Sequence, residues 1–126
     1  MVDIAKHISH WRCGAEEDFE VADQLIRLGK IRHGLFFLHL TLEKILKAHV
    51  CRSCGDIAPR LHNLTRLAEL SEVTFQQKYA DFLAEMNFFN IEGRYPDMWA
   101  PLPSQKEANT LVRKTGEVFE WLRNQL

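Results

Sequence analysis

The sequence predicts an all-α fold, an up-down bundle of four long helices and one short helix. Three observations carry that expectation. Apolar residues recur at spacings of three and four along most of the chain. Helix start and stop signals fall between those runs. No strand signal competes: there is no sustained two-residue alternation, no Asn-Gly or Asp-Gly hairpin turn, and no internal repeat. The 126 residues are 46% apolar and 26% charged. That is the size and composition of one globular domain, residues 1–126, able to bury a core without staples.

The first helix is expected from Ile4 to Leu28, ended by Gly29, on a stripe of Trp11, Ala15, Asp18, Ala22 and Leu25 widened by Phe19 and Ile26. Asp18 is a carboxylate among apolar neighbours. It sits either at the stripe's margin or as a buried acceptor that fixes a helix contact. The second helix carries Ile31, Leu35, Leu38, Leu42, Ile45 and His49, with Phe36, Phe37 and Leu46 making it apolar around much of its circumference. Such a helix is central, with neighbours on several sides. Only Gly29-Lys30 separates the two, so they should pack antiparallel. The second helix is expected to end near Cys51.

A short third helix is expected from His62 to Ser71 on Leu64, Leu67, Ala68 and Leu70. Thr74 is a candidate N-cap for the fourth, whose stripe is Phe75, Tyr79, Phe82, Met86 and Phe89, with Gly93 and Pro96 as its stop. Three prolines between Pro96 and Pro103 predict a stiff extended loop. Ser104 and Glu107 form a capping box that opens the last helix, with Ala108, Leu111, Thr115, Val118 and Leu122 inward. Gly116 within it costs about 1 kcal/mol relative to Ala, which suggests close approach of a neighbour.

Lys and Arg number 16 against 17 Asp and Glu, a net charge of −1. Bulk charge therefore does not drive nucleic-acid binding, although a local basic groove could. No run of 18 apolar residues exists, so no membrane association is expected. Met1 to Ile8 lacks an apolar signal core, and three cysteines make no disulfide framework, so a cytoplasmic protein is expected.

Several polar residues fall where chemistry could sit. His39, Glu43 and Lys47 are four apart and share one helix face. Either Glu43 and Lys47 form a solvent-facing pair worth about 0.3–0.5 kcal/mol, or they rim a polar groove, with Lys44 and Lys47 as donors and Glu43 as an acceptor for sugar hydroxyls. Arg94, Tyr95 and Asp97 sit where the fourth helix breaks, with Asn90 one turn earlier. Arg94 offers planar donors to phosphate and Tyr95 a ring for stacking. The alternative is structural: Arg94 on helix-end carbonyls and Tyr95 packed beneath the loop. His62 serves either as a cap or core residue, or as part of a polar surface with Asn63 and Arg66. His49, Cys51, Cys54 and His62 could in principle make a tetrahedral zinc site. His49 lies on the inward stripe and Cys51 ends an apolar helix, so core roles are expected; no metal and no cofactor are expected.

Taken together, Trp11 and Asp18, then Glu43-Lys44-Ile45-Leu46-Lys47-Ala48, then Pro59-Arg60-Leu61-His62, then Arg94-Tyr95-Pro96 resemble, in order and spacing, the motifs of the HEPN family. The resemblance implies a five-helix bundle and nucleotide or RNA binding. It also implies a homodimer and a minimal nucleotidyltransferase partner, as in toxin–antitoxin systems. Many members of that family are ribonucleases with a late arginine followed, after four to six residues, by histidine. Here the spacing occurs only at Arg27 to His33 and Arg32 to His39, and no histidine follows Arg94. No catalytic residue is therefore assigned. The expectation is a non-catalytic binding module, with Glu43, Lys44, Lys47, His62, Asn90, Arg94, Tyr95 and Asp97 as candidate ligand-binding residues. A metal-independent ribonuclease toxin, using an Arg94–His62 pair, and a pure protein-interaction module are the alternatives.

Overall fold

The computed structural model describes residues 2–90 and 101–126. Among these residues five α-helices follow in order: α1 (Ile4–Arg27), α2 (Ile31–Cys54), α3 (Leu64–Ser71), α4 (Gln77–Met86) and α5 (Gln105–Arg123), with a 3₁₀ turn over Asn87–Phe89 after α4. No strand occurs among the described residues. No helix among them is long and apolar enough to cross a membrane.

The helix ends follow local chemistry. Asp3 caps α1, its side chain accepting the Lys6 N–H at 3.1 Å. Gly29 adopts φ 78°, which stops that helix at little steric cost. α2 runs a turn beyond the expected end at Cys51, because Gly55 at φ 66° supplies the left-handed stop. α3 begins at Leu64 rather than His62, since Asn63 Oδ1 accepts the Arg66 N–H at 3.0 Å. Thr74 is not the cap of α4. That helix starts after the extended Gln76, and Phe75 stays ahead of it with its ring 5.4 Å from that of Trp121. Packing of that ring outweighs the local capping preference. The Ser104–Glu107 capping box is present at α5, with both reciprocal bonds made. The expected stop of the fourth helix at Gly93 and Pro96 lies outside the described residues.

α2 is the central rod, packed against α1, α3 and α5. Its fully buried Leu35, Leu38, Leu42, Ile45 and Leu46 are the middle of the core. α1 runs antiparallel to it: Ile26 meets Gly34 near the turn, and Trp11 meets Lys47 far from it. At Gly34 the fit is tight. A Cβ there would overlap Ile26 Cγ1 and lie 2.9 Å from its Cδ1. Gly116 does the same for α5 against α1, where a Cβ would sit 3.0 Å from Phe19 Cζ. α5 also ties down the end of α1, with Gln105 Nε2 donating to the Ile26 carbonyl at 2.8 Å.

Candidate functional site

Glu43 lies in the middle of α2 and is 4% exposed. A solvent-facing pair with Lys47 is therefore not what the fold builds. The Glu43 carboxylate is approached from three directions. Lys47, one turn on, donates from Nζ to Oε2 at 3.0 Å. His62, from the segment before α3, places Nδ1 3.1 Å from both carboxylate oxygens. A carboxylate only accepts, so that nitrogen carries the hydrogen. His39, one turn back and wholly buried, has Nδ1 3.7 Å from Oε1. Burial of such groups is costly unless each charge is answered. Here the helical period alone aligns His39, Glu43 and Lys47, and the α3 segment adds His62.

The α1 side completes the cluster. Lys47 Nζ stands 5.1 Å from the Trp11 ring centroid, a cation–π contact on a desolvated ammonium. Lys44 makes a separate ion pair with Asp18 at 2.7 Å. Asp18 is thus the buried acceptor of the two readings, 9% exposed and fixing α1 to α2. Gly14 leaves room for the Lys44 stem: a Cβ there would lie 3.2 Å from Lys44 Cδ. Exposure rises sharply across the group. The Glu43 and Lys47 side chains are 6% and 7% exposed, Lys44 is 28% and His62 is 48%. The network is closed at its centre and open at His62.

Of the candidate residues, the fold gathers Glu43, Lys47 and His62 into one network, with Lys44 on the next position of α2 held by Asp18. Asn90 ends the 3₁₀ turn, its N–H directed at the Asn87 carbonyl at 3.4 Å. Arg94, Tyr95 and Asp97 lie outside the described residues. Asn87 was not foreseen. Its side chain reaches the start of α3, where Oδ1 accepts the Leu64 N–H at 2.7 Å.

The remaining histidines and cysteines have other duties. His49 is 2% exposed, and its Nε2–H donates to the Leu122 carbonyl at 2.8 Å near the end of α5. Burial pushes the His49 imidazole below its ordinary 6.5; the Leu122 carbonyl pulls the other way and the charge of Arg52 adds to the lowering. Cys51 is buried and its thiol is pushed up, chiefly by that burial, while Cys54 is exposed. In the two early arginine–histidine spacings, Arg27 is bound to Asp23 at 3.1 Å and His39 is enclosed.

Comparison with known proteins agrees with this architecture. The family model for the HEPN domain matches residues 8–125. The crystal structure of TT1696 from Thermus thermophilus superposes with a TM-score of 0.79 at 17% identity, covering 94% of this chain and 98% of that one. The crystal structure of ST0689, an archaeal HEPN homologue, gives 0.65 at 22% identity, over 94% of this chain and 96% of the other. At those identities the two structures speak for the fold. No curated protein matches. With the family match spanning nearly all of a five-helix bundle, the chain belongs to the HEPN domain family.

Proposed function

We propose that this chain is a nucleotide- or RNA-binding module that acts beside a minimal nucleotidyltransferase as a homodimer in the cytoplasm, in the manner of a toxin–antitoxin pair, and is not itself catalytic. The observation that carries the binding reading is the gradient across the Glu43 network: ionic groups sealed at the centre and a half-exposed His62 at the edge. An apolar core would serve a merely structural helix better, since removing buried ion pairs for well-packed hydrophobes is often neutral or stabilising. In this reading His62 and the partly open Lys44 meet the ligand. Glu43 orients His62, and Lys47 neutralises Glu43 from within. Arg94 and Tyr95, assigned from sequence, supply a phosphate donor and a stacking ring.

A thermal-shift panel of nucleotides and short RNA tests it. A ligand at ten times its Kd stabilises the fold by about 1.4 kcal/mol, which raises Tm by about 5 °C in a domain of this size. That rise is expected for at least one ligand and should vanish in His62→Ala and Arg94→Ala. No shift with any of them at millimolar concentration would sink the proposal.

One observation favours a second reading. A histidine held through Nδ1 by a carboxylate is oriented as acid–base histidines are. RNA cleavage in the presence of chelator, lost in His62→Ala, would replace the binding module with a ribonuclease.

A further inference from the structure

Asn87 opens the 3₁₀ turn after α4, and its carboxamide meets three consecutive residues at the start of α3. Oδ1 accepts the Leu64 N–H at 2.7 Å, and Nδ2 faces Asn63 Oδ1 at 3.4 Å and Thr65 Oγ1 at 3.3 Å. The orientation of the amide is fixed by this set, because an N–H must face Oδ1 and two oxygens must face Nδ2. Leu64 N–H is one of the four donors that the first turn of a helix leaves without a partner in that helix. Asn63 answers a second, the Arg66 N–H. Together the two asparagines fix the backbone of residues 63–66 against the end of α4.

His62 is the residue immediately before this clamp. Its side chain leaves the clamped backbone and reaches Glu43 on α2. α3 has only eight residues, too few to hold its own first turn without tertiary support. Buried Leu64 and Leu67 anchor the helix face in the core. The Asn87 amide adds the directional contact at its first turn, the end nearest His62.

We propose that Asn87 is the positioning residue of the candidate site: it holds the start of α3 so that His62 Nδ1–H stays on the Glu43 carboxylate. This rests on the Glu43 network being the binding site. It adds that the ligand-facing histidine is set from the end of α4.

The imidazole itself reports the outcome. In long-range proton–nitrogen spectra at about pH 8.5, where ordinary imidazoles are neutral, His62 should show the Nδ1–H tautomer in the free protein. Asn87→Ala should lose that signature in favour of the Nε2–H form. His49, which donates from Nε2 to Leu122, is the internal control for an intact bundle. Asn87→Ser is the milder variant should the alanine protein not fold, and the same loss at His62 is expected. A folded alanine or serine variant that keeps His62 as Nδ1–H would overturn the inference, whatever its loss of stability. Because the signature is read without ligand, a protein that binds no nucleotide sinks the proposed function and leaves this test standing.

Discussion

Two stretches of α2 bury polar side chains, and they do so for different ends. Around Glu43 the partners are side chains: Lys47, His62 and, at longer range, His39. Two residues after Lys47 the partner becomes backbone. Buried His49 donates to the Leu122 carbonyl, and exposed Arg52 adds a bond to that of Gln125. The Leu122 carbonyl lies in the last turn of α5 and that of Gln125 just beyond it, where C=O groups lack the usual helical partner four residues on. The second stretch therefore fastens one rod to another, which any protein of this fold needs. The first makes an ionic network that the fold does not need and opens it at His62. Buried polarity answered by backbone is fastening; buried polarity answered by ionisable side chains that reach the surface marks the place to look for a ligand.

Substitutions can break that contrast. The largest effect is expected from Glu43→Ala, which strands the Lys47 ammonium in the core. A loss of about 3–5 kcal/mol by urea denaturation is expected, as for other buried pairs robbed of one partner. The double change Glu43→Leu with Lys47→Met should return stability to within about 1 kcal/mol of wild type, since it removes both charges at similar volume. Nucleotide response should stay lost. If the double variant still binds nucleotide, the ionic network is not the site.

His49→Leu should cost about 1–2 kcal/mol through the lost buried hydrogen bond and leave nucleotide response intact. Its pH dependence sharpens the point. The folded His49 has a lowered pKa, so the unfolded chain binds the extra proton. The stabilising contribution is complete above the ordinary 6.5 and declines as pH falls from there toward the folded value. The slope is at most about 1.4 kcal/mol per pH unit. Urea midpoints of wild type and His49→Leu should therefore converge on acidification. The smallest effect on stability is expected for His62→Ala, under about 1 kcal/mol because the His62 side chain is half in water. Its effect on ligand response should be complete.

Much of the fold was legible because it rests on local periods and caps. The Ser104–Glu107 box, the Gly29 stop and the central character of α2 all follow from neighbours within a few positions. Boundaries slipped where tertiary packing won, as when Phe75 held its ring on Trp121 instead of entering a helix. The site was half legible. His39, Glu43 and Lys47 share a face by period alone. Asp18 with Lys44, and Trp11 with Lys47, could have been paired as well, since positions about equally far from the Gly29-Lys30 turn face each other in an antiparallel hairpin. The meeting of His62 with Glu43 depends on how a short third helix folds back, and no local spacing encodes that. Asn87 gave no signal at all, being one polar residue between Met86 and Phe89 of an apolar stripe.

The smallest residue of α2 has the longest reach. At Gly34 the first two rods touch with no space for a methyl group, and nine residues separate that seat from Glu43, about 13.5 Å along a stiff axis. A bulkier residue there acts as a wedge under one end of a lever. Should the rods pivot rather than bend, the gap opens furthest where Asp18 grips Lys44 and Trp11 shelters Lys47. How firmly those charges stay shut then depends on a position that carries no charge and no side chain.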